Sequence, residues 1–208
     1  MADKKTILIG GGGHARSIVE VMGRNRFDAY VALSPAPEGM SLPYAGNDTV
    51  ASSALDPAET AIHIAIGYTS GGSLALRRKI IETYRNFTAV TLIAPSAVVT
   101  HSSTIGAGSA VMARAVVNRS ATGDHCVINT GAIIDHDCRL GSNVFIGPGA
   151  VICGEVEIGD DVFIGAGTII RNGISIASGT RIGMGSLVTA TIDTPGLYLG
   201  SPAKKKTE

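Results

Sequence analysis

The sequence predicts an α/β unit with a small parallel sheet over residues 1–90, then an all-β parallel β-helix over 91–192 and a C-terminal tail over 193–208. Three observations support this fold class. The chain opens with an apolar run, a glycine cluster and an amphipathic stretch, and from Ile93 onward an aliphatic residue recurs every six positions. Glycine, at 27 of 208 residues, is concentrated in the region of that repeat.

The N-terminal elements follow from their apolar patterns. Residues 6–9, 30–33 and 62–66 are short apolar runs typical of strands, and residues 15–22 and 74–84 have the apolar spacing of helices. Gly23 can end the first helix. Strands that alternate with helices predict parallel pairing in a βαβ unit.

The six-residue repeat runs from Ile93 to Val188 and predicts the second part. Its period does not match the 3.6-residue turn of an α-helix, and each glycine would cost a helix roughly 1 kcal/mol. Such repeats are typical of parallel β-helices, whose coils stack about 4.8 Å apart. The spacing changes once, because Val117 and Ile128 are 11 positions apart instead of 12. We therefore expect a tightened corner or distorted strand between residues 118 and 127.

The glycine cluster follows the first strand. Gly10, Gly12 and Ala15 fit the pattern G-x-G-x-x-A, which is found in dinucleotide-binding folds. An NAD-binding protein would carry an acidic residue at the end of the second strand, where this chain has Leu33-Ser34-Pro35, so the sequence disfavours NAD. The prediction that remains is a phosphate held by backbone N–H groups at a helix N-terminus. A tight turn without a ligand is the alternative.

Composition excludes several classes of function. Lys and Arg together number 17, as do Asp and Glu, so no broad charge attracts nucleic acid or an anionic membrane. No apolar run approaches the roughly 18 residues of a membrane span, and we expect a cytoplasmic protein. Cys126, Cys138 and Cys153 lack CxxC spacing, so the sequence predicts neither a disulfide framework nor a metal site.

Four segments carry a family resemblance: ILIGGGGHA at 7–15, AIG at 65–67, INTGAIIDHDC at 128–138 and GSPAK at 200–204. Together they resemble the bacterial sugar acyltransferases of the sialic-acid O-acetyltransferase and UDP-bacillosamine N-acetyltransferase kind, over nearly the whole chain. The resemblance implies a left-handed β-helix with three hexads per coil and a homotrimer. It also implies a nucleotide-linked amino sugar bound on the N-terminal unit and acetyl-coenzyme A (acetyl-CoA) in the groove between neighbouring prisms.

The resemblance assigns substrate contacts on the N-terminal unit, and Asn129 is a further candidate that orients substrate or His136, or else belongs to an asparagine ladder. The substrate-binding candidates are therefore Gly12, Gly13, His14, Ser34, Pro35, Gly67 and Asn129. Some relatives carry acidic residues where this chain has Ser34-Pro35, and some carry a histidine where it has Phe145. Candidates for coenzyme contacts lie at later bends, near Phe145 or near the C-terminus: Phe145, Gly165, Ala166, Met184, Gly185 and Lys204.

His136 is the candidate general base. It lies two residues after the inward Ile134, outside the positions that build the apolar column, so packing does not require it. An imidazole suits proton removal at neutral pH. Asp137 matches the acidic partner of the family, and Asp135 is an additional candidate. His125 is the competing base, and a hydrated corner without catalysis is the alternative.

The remaining histidines have other interpretations. His63 lies in the middle of a predicted strand and is expected to be a satisfied core histidine. His101 lies in the repeat region but lacks flanking carboxylates.

The resemblance, together with the candidate base His136, implies direct acetyl transfer from acetyl-CoA to the amino group of a UDP-linked 4-amino-dideoxy sugar. Thioesters are already activated, so neither an acyl-enzyme nor a metal is required. One alternative is an O-acetyltransferase acting on a sialic acid or another sugar hydroxyl. Another is a non-catalytic trimer that binds nucleotide sugars.

Overall fold

The computed structural model of the protein describes residues 4–35, 39–47, 54–68, 72 and 74–206. The N-terminal unit contains a four-stranded parallel sheet in the order β2-β1-β3-β4. Its strands are β1 (Lys5–Ile9), β2 (Ala29–Val31), β3 (Thr60–Ile64) and β4 (Thr88–Ala89), and its helices are α1 (Gly13–Met22), a 3₁₀ turn (Arg24–Arg26) and α2 (Ala75–Thr83). Every element predicted from the sequence is present, with its ends displaced by one or two residues.

The two helices are held by different apolar clusters. Helix α1 buries Ala15, Ile18 and Met22 in a cluster that also contains Leu92 and Met112 of the repeat region. Helix α2 packs Ile80 in a second cluster, against the strands of the N-terminal unit. Helix α1 therefore lies between the sheet and the repeat region, and its N-terminus faces the junction of the two.

Residues 92–188 form a prism of two-residue strands that pair in parallel with the strands one coil away. Face I contains β5 (Leu92–Ile93), β7 (Ala110–Val111), β10 (Val127–Ile128), β13 (Phe145–Ile146), β16 (Phe163–Ile164) and β19 (Arg181–Ile182). Face II contains β6 (Val98–Val99), β8 (Val116–Val117), β11 (Ile133–Ile134), β14 (Val151–Ile152), β17 (Ile169–Ile170) and β20 (Leu187–Val188). Face III contains β9 (Ala121–Thr122), β12 (Arg139–Leu140), β15 (Glu157–Ile158) and β18 (Ser175–Ile176).

The second residue of each strand points inward, and these residues form the core of the prism. Ile128, Ile146, Ile164 and Ile182 are fully buried in one column of face I. We name the three edges by the faces they join: the first edge joins face I to face II, the second joins II to III, and the third joins III to I.

The change of spacing predicted between residues 118 and 127 lies at the second edge. Val117 pairs with Ile134 and Thr122 pairs with Leu140, so five residues in one coil span the same distance as six in the next. The turn 118–120 is one residue shorter than the turn above it. Thr122 takes the inward position in place of an aliphatic residue.

The outward residues distinguish the three faces. Those of face I, such as Val127, Phe145 and Phe163, are buried under the N-terminal unit. Those of face III are polar or small and exposed. Those of face II are all apolar and partly or well exposed: Val98, Val116, Ile133, Val151, Ile169 and Leu187.

The segment predicted as a C-terminal tail carries two further strands. Strand β21 (Leu197–Leu199) extends face I in parallel with β19, and β22 (Lys204–Lys205) pairs antiparallel with β21. This hairpin covers the C-terminal end of the prism, and Thr207 and Glu208 lie outside the described residues. Across the part of the chain that the structure describes, no helix has the length and apolarity needed to cross a membrane.

Candidate active site

A cavity of about 720 Å³ lies where the N-terminal unit meets the first edge of the prism. Its walls come from the glycine turn, the ends of β2 and β3, and the prism. Every residue that the sequence assigned to substrate lies in its lining: Gly12, Gly13, His14, Ser34, Pro35, Gly67 and Asn129. The structure thus brings seven residues from four separate segments of the chain to one cavity.

The glycines of the first turn have different reasons for being there. Gly10 has φ +130°, and a Cβ on it would lie 2.8 Å from the carbonyl oxygen of Ala65. Gly12 has an extended backbone, and a Cβ there would meet nothing within 4 Å. Packing therefore requires Gly10 but leaves room at Gly12, at the start of α1, where no side chain caps the helix. An uncapped helix N-terminus that opens on a cavity can bind an anion.

His14 contributes an imidazole to the same cavity. Its Nε2 atom is buried and has no hydrogen-bond partner. Burial, and to a smaller extent the nearby charge of Arg77, lower the pKa of His14 to about 4. The ring is therefore neutral at physiological pH, with one ring nitrogen left for a ligand.

Three aromatic rings pack together where the cavity meets the prism, and two of them, Tyr68 and Phe145, belong to its lining. Phe145 lies 5.5 Å from Phe163 one coil on, and Tyr68 packs against both, with ring centroids 5.2 and 4.6 Å away. Phe145 is only 3% exposed, whereas Tyr68 is 50% exposed. The sequence assigned Phe145 to the coenzyme, but the structure places it among the residues of the substrate cavity. Sequence reasoning missed Tyr68 and Phe163.

His136 lies in the turn 135–138 of the second edge, between β11 and β12. Its Nδ1 atom is 3.0 Å from Oδ2 of Asp137, and the imidazole is half-exposed. Arg119 donates two hydrogen bonds of 3.0 Å to the same carboxylate, from Nε and Nη2. The bond to His136, followed by those to Arg119, lowers the pKa of Asp137. The carboxylate can accept a hydrogen bond from Nδ1–H of the imidazole. This leaves Nε2 of His136 available to take a proton.

Asp135 has a different position in this turn. Its Oδ1 accepts hydrogen bonds from the backbone N–H of His136 and from Nδ2 of Asn118, and these bonds lower the pKa of Asp135. It fixes the backbone of the turn, and its hydrogen bonds do not reach the imidazole. Of the two candidate carboxylates, Asp137 alone is bonded to the ring.

The surroundings of His136 leave room for its ring. One coil later a Cβ on Gly154 would lie 2.5 Å from Cε1 of His136, so only glycine fits beneath the imidazole. One coil earlier the shortened turn 118–120 has no residue at the position equivalent to His136. The irregular spacing in the sequence was thus a signal for the site, although it did not identify Arg119, Asn118 or Gly154.

The residues assigned to the coenzyme lie along the first edge and at the C-terminal end. A Cβ on Gly165 would be 2.5 Å from the backbone nitrogen of Met184, and Gly185 has φ +67°. Coil stacking and turn geometry therefore explain both glycines without a ligand. Ala166 lies in the same turn as Gly165, Met184 is 76% exposed, and Lys204 is exposed in β22.

Asn129 begins the first-edge turn nearest the cavity. Its Oδ1 accepts the N–H of Thr130 at 2.8 Å, and the equivalent position one coil on is Gly147, so it is not part of an asparagine ladder. Asn129 lines the cavity, whereas His136 lies at the other end of β11 and does not.

His125, His63 and His101 all lie outside the turn that contains His136. His125 lies at the third edge, its Nδ1 is buried without a partner, and burial lowers its pKa. His63 bonds Val90 through Nδ1, but its Nε2 has no partner, so the expectation of a satisfied core histidine was wrong. His101 is exposed two coils before His136. Among the described residues, no group of three or more His, Cys, Asp or Glu side chains is arranged to hold a metal ion.

Comparisons with known proteins agree with this arrangement. The family described as bacterial transferase hexapeptide (six repeats) matches residues 121–154 and 155–190. No curated protein sequence matches the chain. The acetyltransferase domain of PglB from Neisseria gonorrhoeae, solved in complex with acetyl-CoA, is 33% identical, with a TM-score of 0.87 over 99% of this chain and 100% of that chain.

A second solved structure is PerB from Caulobacter crescentus in complex with CoA and GDP-perosamine. It is 36% identical, with a TM-score of 0.87 over 99% of each chain. WeeI from Acinetobacter baumannii is 20% identical, with a TM-score of 0.78 over 97% of this chain and 99% of that chain, which supports the fold. The predicted fold class, an α/β unit followed by a left-handed β-helix, is confirmed.

Proposed function

The chain belongs to the sugar N-acyltransferases of the hexapeptide-repeat superfamily, and we propose that it moves the acetyl group of acetyl-CoA to the amino group of a UDP-linked 4-amino-dideoxy sugar. The observation that carries this proposal is the imidazole of His136, which is bonded to a carboxylate that Arg119 holds in turn. Core packing requires none of these three side chains.

The relatives support the reaction class. PglB and PerB, both more than 30% identical over nearly the whole chain, were solved with acetyl-CoA and with CoA and GDP-perosamine. As its name states, perosamine N-acetyltransferase transfers an acetyl group to a nitrogen atom of perosamine. The proposal extends to this chain an acetyl-CoA donor and an amino sugar attached to a nucleotide, and the choice of UDP over GDP is left to the experiment below.

The mechanism follows from the hydrogen bonds at the second edge. The amine of the sugar attacks the thioester carbonyl, the N–C bond forms, and the C–S bond to CoA breaks. Nε2 of His136 accepts the proton that the nitrogen loses, and Asp137 stabilises the resulting imidazolium through Nδ1. The same proton can then pass to the thiolate of CoA. The amine must be neutral to attack, so the rate rises with pH as the ammonium form of the sugar loses its proton.

The cavity supplies the binding site for the sugar nucleotide. Its glycine turn can accept phosphates at the start of α1, and the neutral His14 offers a ring nitrogen. The rings of Tyr68 and Phe145 form an apolar wall on the side nearest the prism, which suits a deoxygenated hexose. We place Phe145 with the substrate for this reason.

The active protein is proposed to be a homotrimer in which two chains complete each site. Face II presents an unbroken apolar column of outward residues, which a neighbouring prism would cover. Within one chain the cavity lies at the first edge and His136 at the second, on either side of this face. Packing of face II against a neighbour would bring the cavity of one chain towards His136 of the next.

The coenzyme is proposed to run along the first edge towards the cavity. Ala166 and Met184 lie at the turns of this edge, between the hairpin that carries Lys204 and the turn that contains Asn129. A lysine at the far end can contact the phosphates of CoA. Thioester and sugar would then meet near Asn129.

Release of free thiol from acetyl-CoA tests the proposal. We expect release with a UDP-linked 4-amino-dideoxy sugar, and slower release with its GDP-linked counterpart. Faster release with the GDP sugar would show that the preferred substrate carries GDP and not UDP, and the proposed reaction would stand. Release only with sialic acid would indicate O-acetylation, and no release with any acceptor would contradict an enzymatic function. Sedimentation of the protein tests the trimer separately.

A further inference from the structure

Arg77 of helix α2 is a cation buried behind the wall of the cavity. Its side chain is only 2% exposed. Nε donates to the carbonyl oxygen of Ile66 at 2.9 Å, and Nη1 donates to Oδ1 of Asn143 at the third edge of the prism. Ile66 itself lines the cavity. Arg77 therefore joins the cavity wall to the prism, with a full positive charge at the joint.

Among the residues that the structure describes, no carboxylate contacts this charge. Asp161 is the nearest acidic group in the network, but it accepts a hydrogen bond from Asn143 and forms an ion pair with the exposed Arg78. Nη2 of Arg77 is buried and has no hydrogen-bond partner. Burial lowers the pKa of Arg77 to about 10, which still leaves it charged at neutral pH. A buried, unpaired cation is expensive to maintain, and hydrogen-bond geometry alone does not explain it.

The charge acts on the cavity and its surroundings. It is close enough to His14, at the start of α1, to lower the pKa of that residue, and it acts in the same direction on His63 and His125. Among the described residues that line the cavity, none has a charged side chain. Two cations lie just outside this lining: Arg16, which is partly buried and donates to the carbonyl oxygen of Gly11, and Arg77, which is fully buried behind the wall. A diphosphate at the start of α1 would experience the field of both, and only that of Arg77 comes from a fully buried charge.

We propose that Arg77 attracts the diphosphate of the nucleotide sugar through the wall of the cavity, by its field and without direct contact. This inference rests on the function proposed above, because it assumes an anionic ligand at the start of α1. A charge in a poorly solvated interior acts over a longer distance than the same charge in water. Arg77 is in this sense a binding residue that an inspection of cavity contacts would overlook.

The experiment compares ligands that differ only in charge. We would measure the dissociation constants of UDP, UMP and uridine by calorimetry for the wild-type protein, Arg77→Gln and Arg77→Lys. Arg77→Gln should raise the dissociation constant of UDP by about 10- to 100-fold, that of UMP by less, and that of uridine by less than about 3-fold. Arg77→Lys should bind UDP within about 5-fold of wild type, since it keeps the charge. Lys79→Gln removes an exposed cation of the same helix that has no part in this network, so it is the matched control and should bind all three ligands normally.

A second variant neutralises the charge and leaves Arg77 in place. The exchange Asn143→Asp with Asp161→Asn moves one carboxylate next to Arg77 and preserves the hydrogen bond between the two positions. Both positions have φ near +57°, which Asn and Asp both tolerate. The double variant should weaken UDP by about 3- to 10-fold and leave uridine unchanged. It keeps the proposal testable if the Arg77 variants do not fold.

The outcomes separate this inference from the proposed function. An equal loss for all three ligands in Arg77→Gln, or normal UDP binding by the double variant, would show that Arg77 only supports the fold. The acetyltransferase proposal would survive that result. If the wild-type protein bound none of these ligands, and none of the GDP series, both proposals would be wrong.

Discussion

The surroundings of His136 differ from those of three other histidines in exposure and in hydrogen bonding. These three are His14, His63 and His125. His136 is half-exposed, is bonded to Asp137 and has glycine on one side of its ring. The other three have a buried ring nitrogen without a partner, and burial, with a smaller contribution from the charge of Arg77, lowers the pKa of each. Proton transfer needs a charged imidazolium at some stage. His136 has Asp137 at hydrogen-bond distance from Nδ1, whereas burial disfavours the charged form of the other three histidines. The difference supports the roles proposed above, with acid–base chemistry at the second edge and neutral binding or structure at the junction.

The largest expected effect is at His136 itself. His136→Ala should reduce kcat by roughly 10²- to 10⁴-fold, because the amine then loses its proton to water. Thiol release measures this rate. His101→Ala is the matched control, since His101 occupies the equivalent position two coils earlier and is exposed without a carboxylate partner. Wild-type turnover by His136→Ala would assign the base elsewhere.

The next effect tests the space around the ring. Gly154→Ala introduces a methyl group 2.5 Å from the present position of His136 Cε1, so the imidazole must move. We expect kcat to fall by about 10- to 100-fold, because a small displacement of a catalytic group is costly. Asn172→Ala, at the same turn position one coil later, should have no effect. If Gly154→Ala were fully active with an unchanged fold, the room left by glycine would have no part in placing the base.

The pair that holds the imidazole should matter less. Asp137→Asn removes the negative charge that stabilises the imidazolium, and we expect kcat to fall by about 10-fold with little change in KM. Arg119→Ala leaves the carboxylate present but free to rotate, so a loss of about 3-fold is expected. Arg139→Ala, on the exposed side of face III, is the control. Equal and full activity in both variants would separate the turn carboxylate from catalysis.

The smallest effect concerns the buried histidines and is a change in stability. Burial lowers the pKa of His63 to about 3, whereas in the unfolded chain it has its ordinary value. Below about pH 6.5 the unfolded chain therefore binds a proton at His63 that the folded protein does not bind. The free energy of unfolding decreases as the pH is lowered. At pH 5 the loss is about 2 kcal/mol, or about 4–8 °C in Tm.

His63→Gln should lose less in Tm between pH 7 and pH 5 than the wild-type protein. Thermal unfolding followed by circular dichroism measures the difference. Parallel curves for the two proteins over this range would mean that His63 is protonated as easily in the fold as outside it.

The repeat made the prism predictable from the sequence. The contacts of side chains at irregular positions were not predictable. Period and glycine content fix the column of inward residues, since each coil meets the same packing problem. The short turn at 118–120 was visible as a change of spacing. The contact between Arg119 and Asp137 in this region was not visible in the sequence, because it depends on which turns are stacked. Arg77 left no local signal, since its partner Asn143 is 66 positions away.

The coils also determine how the length of the groove can vary. Each coil raises the chain by about 4.8 Å, so the three coils from the turn at 129–132 to the turn at 183–186 span about 14 Å. A single inserted or deleted residue is absorbed in a corner, as at 118–120, and leaves this length unchanged. The distance from the cavity to the C-terminal hairpin therefore changes only in whole steps. With the coenzyme along the first edge, as proposed above, a donor with a longer or shorter arm would be matched by adding or removing a coil.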